Sequence, residues 1–412
     1  MIKIGIPEIE SKDGKTTLRA FVTNEVEGVN KWMWFTSDEE NGKFFCPEVA
    51  DAFVLPMILR AVTTHQDIIV DASMSEKLYY NLNDSVLYAV TKAYEKKSGK
   101  QHNDIVRIIC NNLVSQNYSP FAVGTGCSLG VDSFTVVKHH FLTNDCPSSY
   151  KITHLTLFNA GAFGSRDVEG ARRSFEKEKN TTKNIADYLG LPFVWVDSNV
   201  RSFFPELSFD YCVEYLNMSI VLSMQKLWKK YIYASAYPVD SFSFDISEPA
   251  FYAPYLLPHL STESTELVLG SMNMNRSDKV NYISTDKIVQ EKLNVCLKEQ
   301  IINNPNIPES EKYRGQYLNC GRCKKCLRTL LQLDILGRTN DFRGIFDLEE
   351  WNKKKEHFIA DVIYGRNSNY FMNDLYCSMI EHNYSIPPFS MRLAKKRMLK
   401  DKIRRVLKKI GL

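Results

Sequence analysis

Residues 121–140, FAVGTGCSLGVDSFTVVKHH, decide how this chain reads. The small, apolar run Phe121 to Cys127 has the pattern of a buried strand, and Phe134 to His140 carries apolar residues at helical spacing. Between them Ser128-Leu129-Gly130-Val131-Asp132-Ser133 forms a tight polar loop. A loop that opens onto a helix start aims several backbone N–H groups and the positive end of the helix dipole at one spot, which makes an anion site. It is not a Walker loop, because Val131-Asp132 stands where Lys and Ser or Thr are required. It is not G-x-G-x-x-G either, because Gly126 and Gly130 leave three residues between them. The plain alternative is that Asp132 and Ser133 only cap a helix.

Working outward from that stretch, strand and helix alternate from residue 116 onward, which implies parallel βαβ units. ITHLTLFNAG (152–161), FVWVD (193–197) and IYASAY (232–237) read as strands, with helices expected from Asp167 to Leu189 and over 215–231. The fold class is therefore α/β, a doubly wound parallel sheet. Residues 1–115 read as a separate α+β accessory domain, with strands at 16–22, 31–36, 67–72 and 104–110. A helix opening at Pro47 contains Pro56, which should kink or divide it. The central domain spans 116–345, and 346–412 forms a polar helical extension with a boundary at Pro387-Pro388.

Composition is that of a globular protein, with 44% hydrophobic and 24% charged residues in 412. No run of about 18 apolar residues occurs, so no membrane span is expected. The N-terminus lacks an apolar leader core, and a cytoplasmic location is expected. The net charge of +4 hides an asymmetry. Residues 391–412 hold ten Lys or Arg and one Asp and so carry +9, leaving −5 on the rest. In that tail Leu399, Ile403, Val406 and Ile410 recur at helical spacing with basic residues opposite. Such a helix can lie on nucleic acid or an anionic surface, dock on an acidic partner, or pack its apolar stripe on its own body.

Three of the ten cysteines, Cys320, Cys323 and Cys326, are spaced C-x-x-C-x-x-C. Thiolates at such intervals converge on one tetrahedral ion, and Zn²⁺ suits them. A ferredoxin run would need a further Cys where Leu330 stands.

The pattern Ser128-x-Gly130-x-Asp132-Ser133 resembles the SGGxDS pyrophosphate loop of the N-type ATP pyrophosphatase (PP-loop) superfamily, with Leu129 where the family has Gly. The run HLSTESTELVLGSMNMNRSDKV (259–280), LNVC (293–296) and NCGRCKKCLRTLLQL (319–333) resembles its 7-cyano-7-deazaguanine synthase-like branch. The resemblance covers about 120–345. It implies an adenine nucleotide alpha hydrolase-like core and an ATP-dependent ligase that adenylates a carboxyl or carbonyl group, releases pyrophosphate and transfers nitrogen. ATP and Mg²⁺ are the implied cofactors beside zinc, and a small molecule or modified base the implied substrate.

Residue by residue, the resemblance places Ser128, Leu129, Gly130, Val131, Asp132 and Ser133 around pyrophosphate and its Mg²⁺, and Asn159, Ala160, Gly161 and Ser235 toward the nucleotide. Arg276 and Lys279 would stabilise phosphate or adenylate charge, with Asp132 as the third catalytic residue; a solvated charged loop is the plain alternative for 276–279. Ser261, Thr262, Glu263 and His259 are weaker candidates. Cys296 is implied as the fourth metal ligand, since Glu311 stands where relatives have an upstream Cys. The chain does not begin Met-Cys, so ammonia is expected free or from a partner protein, an anti-phage defence or surface-polysaccharide system being one setting. Two other readings follow from the same residues: a tRNA-thiolating enzyme that uses the cysteines and the basic tail, and a nucleotide-binding subunit without turnover.

Overall fold

A computed structural model describes residues 1–143, 145–163, 168–298, 308 and 312–409, so Asp167, Glu311 and Ile410 lie outside the described residues. The chain divides into two compact units, Met1–Ser128 with Val136–Asn273, and Leu129–Thr135 with Met274–Leu412.

The first unit is α/β, built on a mostly parallel 11-stranded sheet. Its strands are β1 (Ile2–Ile4), β2 (Glu8–Lys12), β3 (Lys15–Asn24), β4 (Val29–Asp38), β5 (Ile68–Val70), β7 (Ile108–Cys110), β9 (Ala122–Gly126), β10 (His154–Phe158), β11 (Phe193–Ser198), β12 (Trp228–Ala234) and β13 (Glu266–Gly270); β6 (Met74–Ser75) and β8 (Leu113–Val114) pair separately. The order is β13-β12-β9-β10-β11-β4-β3-β1-β5-β7, with β2 beside β3. From β13 to β11 every neighbour is parallel. Read from β11 to β13 these five strands come third, second, first, fourth and fifth in the chain, which reverses direction between β9 and β12. In open α/β sheets the crevice beyond the carboxyl ends at such a reversal is where ligands bind.

Residues 1–115 do not stand apart as expected. β4 lies antiparallel on β11, with Thr36 opposite Asp197, and continues the same sheet through β3 to β7. An uncovered β11 edge would present unpaired backbone groups, and β4 occupies it. On β3, Leu18, Ala20 and Val22 are buried while their neighbours face outward, the alternation of a strand with one covered face. The helix Asp51–Thr64 runs on through Pro56 without division. The helix expected over 215–231 is shorter: it covers Val213–Leu222, and Trp228 to Tyr231 belong to β12. The aromatic side chains of Trp228 and Tyr231 are buried there, and strand pairing on both sides outweighs the helical spacing of the apolar residues.

The second unit is helical: Arg276–Ile283, Lys324–Ile335, Leu348–Gly365, Tyr370–Glu381 and Pro388–Lys409. Val280, Ile283, Leu330, Leu331, Trp351 and Ile359 are among its buried residues. No break falls at 345, because Asn319 bridges to Phe346 and Tyr313 donates to Asp347 at 2.9 Å. Among the described residues no helix is long and apolar enough to cross a membrane.

Candidate functional site

In the chain the loop begins two residues after β9 ends. In the sheet unit, Ser128 follows β9, Asn159 and Gly161 follow β10, and Ser235 follows β12, all at the carboxyl edge. Ser128 is exposed. The Asn159 amide donates to Asp197 at 2.7 Å, and Gly161 takes φ +107° with the Arg201 side chain lying where a Cβ would go. Ser235 is buried and gives its hydroxyl to the Tyr237 carbonyl. Ser261, Thr262 and Glu263 serve packing: Ser261 accepts Leu267 N–H at 3.0 Å, Thr262 donates to Gln225 at 2.7 Å, and Glu263 accepts Lys77 N–H at 2.7 Å. His259 stacks on Tyr255 and bonds its carbonyl.

Within the second unit the loop has a strained shape. Leu129 takes φ +57°, the left-handed region where a Cβ is costly, and its side chain is 1% exposed. A glycine would take this torsion without that cost, and here a buried leucine takes it. Asn294 N–H donates to the Leu129 carbonyl at 2.8 Å. Ser133 donates to the Gly130 carbonyl at 3.0 Å, and Val131 is buried.

Asp132 is bracketed by two cations, Arg276 on Oδ2 and Lys279 on Oδ1, the latter at 3.2 Å. The solvated-loop reading of 276–279 fails, because the Lys279 side chain is fully buried and Arg276 is 17% exposed. Helix Arg276–Ile283 starts with a capping box between Asn275 and Asp278, so Asp278 satisfies backbone groups and Arg276 and Lys279 are left to face the loop. Crowding of its surroundings favours protonation of Asp132, but Arg276 and Lys279 outweigh it and hold the carboxyl below its usual range. Lys279 is pulled the other way: burial, with repulsion from Arg276, lowers it despite Asp132. One carboxylate is thus shared by two cations, and the cluster keeps positive charge in excess. Each Asp132 oxygen meets one of those cations, and the carboxylate is 28% exposed.

Two further cations belong to this cluster. Lys325 acts electrostatically on Arg276 and Asp132, and Arg328, one turn along the same helix, lies 4.0 Å over the Phe371 ring. Lys325 stays accessible to solvent, yet desolvation of its ammonium and repulsion from Arg276 and Arg328 lower its pKa. The i, i+3 spacing of Lys325 and Arg328 was the available signal, masked by the cysteines between which Lys325 sits.

The Sγ atoms of Cys296, Cys320, Cys323 and Cys326 all lie within 4.8 Å of one another, a group that can hold a metal ion such as zinc. Cys320 and Cys326 sulfurs are 3.9 Å apart. Four thiolates on one tetrahedral ion at the usual Zn–S length would be about 3.8 Å apart. Backbone N–H groups of Lys298 and Cys320 reach the Cys296 sulfur at 3.3 Å, and that of Cys323 reaches Cys320 at 3.4 Å. S–H donors from Cys296, Cys320 and Cys326 push the Cys323 thiol down against its burial, which favours the thiolate that a metal requires. The turn between the ligands needs Gly321: its φ is +67°, and a Cβ would meet the Asp347 carbonyl at 2.0 Å. Asn319 ties this knuckle to the loop segment, accepting Val295 N–H at 2.8 Å and donating to Leu293 O at 2.7 Å. No family model, curated protein or solved structure matches the chain.

Proposed function

We propose that this chain is an ATP-dependent adenylating ligase of the PP-loop type, related to the 7-cyano-7-deazaguanine synthases. A substrate carboxyl or carbonyl oxygen attacks the α-phosphorus of ATP, pyrophosphate leaves with the electrons of the α–β bridge, and a nitrogen nucleophile then displaces AMP from the adenylate. The observation that carries this reading is the pairing of Asp132 with Arg276 and Lys279, residues 144 and 147 positions away. It joins the phosphate-type loop to the distal basic segment and sets cationic charge beside that loop, an arrangement that can stabilise a departing pyrophosphate without a covalent step. In this reading Asp132 is a positioning residue that aims Arg276 and Lys279. The strand order 3-2-1-4-5, with the loop directly after the first strand, supports a nucleotide at the carboxyl edge.

The proposed metal is a structural Zn²⁺ on Cys296, Cys320, Cys323 and Cys326, a closed site with no open position for chemistry. Commitment of all four thiols to one cluster weighs against their use as sulfur carriers for tRNA. The test is pyrophosphate and AMP release from ATP across carboxylated deazapurines, nucleotides and sugars, with and without ammonia. Release that needs one panel member and falls about a hundredfold or more in Arg276→Ala is the expected result. Tight ATP binding with no AMP under any condition overturns turnover and leaves a nucleotide-binding protein.

A further inference from the structure

The last helix, Pro388–Lys409, has two opposed faces. One is packed on the helix Leu348–Gly365. Ser390 and Ala394 are fully buried, and Ser390 Oγ donates to the Glu356 carbonyl at 2.8 Å. Arg397 pairs with Asp361, and Asp401 accepts the Tyr364 hydroxyl. These four positions recur at intervals of four, three and four residues, one side of a helix. The other side carries Leu399 at 60% and Ile403 at 50% exposure. At roughly 100° per residue these two lie about 140° and 180° around the axis from Ala394. Leu399 and Ile403 therefore point away from the body, contrary to the reading in which the apolar stripe packs on the chain itself; the Val406 side chain lies, like Ile410, outside what the structure describes. Lys395 and Lys402 flank it on one side and Lys396 and Lys400 on the other, and all four are exposed.

We propose that this outer face docks on an anionic lipid surface, lying in its plane, with Leu399 and Ile403 entering the acyl boundary and the flanking lysines at phosphate level. Charge complementarity selects the occupant: residues 391–412 carry +9 and the rest −5, so an anionic surface attracts this face and repels the remainder. Lysines on both sides of an apolar line can sink their methylene stems while keeping the ammonium groups in water. Nucleic acid would meet the cations but would leave two aliphatic side chains facing solvent. This proposal is independent of the ligase reading.

The experiment is co-sedimentation of the full chain with phosphatidylcholine vesicles, with and without phosphatidylglycerol, compared with Leu399→Glu/Ile403→Glu and Lys396→Gln/Lys400→Gln variants. Circular dichroism verifies that each is folded. Binding should need phosphatidylglycerol, weaken with salt, and fall at least about tenfold in the Leu399→Glu/Ile403→Glu variant. Failure to bind phosphatidylglycerol vesicles at low salt overturns the proposal. So does binding that the aliphatic substitutions leave unchanged, since charge alone then suffices and nucleic acid or an acidic protein becomes the better occupant.

Discussion

The backbone N–H of Asn294 donates to the carbonyl of Leu129 at 2.8 Å, two residues before Cys296. The cysteine cluster and the loop at 129–133 are therefore not independent features of the second unit. A metal that draws Cys296 to Cys320, Cys323 and Cys326 also fixes the segment whose amide holds the loop at its strained residue.

Metal removal should consequently be felt at the loop. Cys296→Ser should weaken zinc retention by at least about tenfold, measured by competition with a chelator, because the remaining three thiolates leave the ion an open position. Chelation of the wild type should speed hydrogen exchange at the amides of Leu129 to Ser133. Unchanged exchange there, with zinc lost, would show that the loop holds without its metal-linked neighbour.

Leu129 should invert the usual order of small substitutions. Leu129→Ala removes a buried side chain at a cost of about 2–5 kcal/mol and keeps the left-handed strain. Leu129→Gly loses a similar side chain but relieves about 1–2 kcal/mol of backbone strain. In urea unfolding the glycine variant should therefore be the more stable of the two. The opposite order would mean that the backbone relaxes out of φ +57° once the leucine is gone.

Asp132 and Lys279 should respond unequally. Asp132→Asn leaves a fully buried ammonium with its counter-charge removed and should cost about 3 kcal/mol. Lys279→Met fills the same space without a charge and leaves Asp132 its pair with Arg276, so it should cost clearly less. Because Asp132 is held below its ordinary value, its contribution is present above about pH 4 and is lost as pH falls through the lowered folded value. Chemical denaturation of the two variants from acid to neutral pH tests both statements.

How much of this was legible in the sequence follows from the range of the interactions. The loop at 128–133 and the short-range cysteine pattern are local signals, and four of the five parallel strands follow from alternation of strand and helix, whereas β13 (Glu266–Gly270) lies in a run not read as a strand. Arg276 and Lys279 could be singled out but not joined to Asp132, because nothing in a chain's order states which distant cation a carboxylate meets. The spacing around Trp228 fits a helix, whereas pairing of β12 with β9 and β13 decides its conformation. β4 reads as part of a separate unit because an antiparallel partner about 160 residues away, Asp197 opposite Thr36, leaves no local mark. Leu129 shows the converse: nothing in the sequence marks it as a residue in the left-handed region, and only its φ of +57° reveals the strain.

Asp374 offers the last test, at the base of the basic cluster. Its carboxylate accepts the Ser277 N–H and hydroxyl, both at 2.9 Å, at the first turn of the helix that presents Arg276 and Lys279. Burial nevertheless raises its pKa to about 6, against 3.8 ordinarily, with the two Ser277 bonds opposing the rise and the nearby Asp278 adding to it. The sign follows from the raised value: the folded state holds this proton more tightly than the unfolded chain does. The contribution is complete below the unfolded value and is lost as pH rises through about 6, by about 3 kcal/mol in all. Asp374→Asn keeps an oxygen for Ser277 and cannot titrate, so its stability relative to wild type should climb between pH 4 and 7 and then level. A flat difference across that window would mean that the Ser277 bonds and Arg276 keep Asp374 ionised, and that the helix start is held by a charge-assisted pair at every pH.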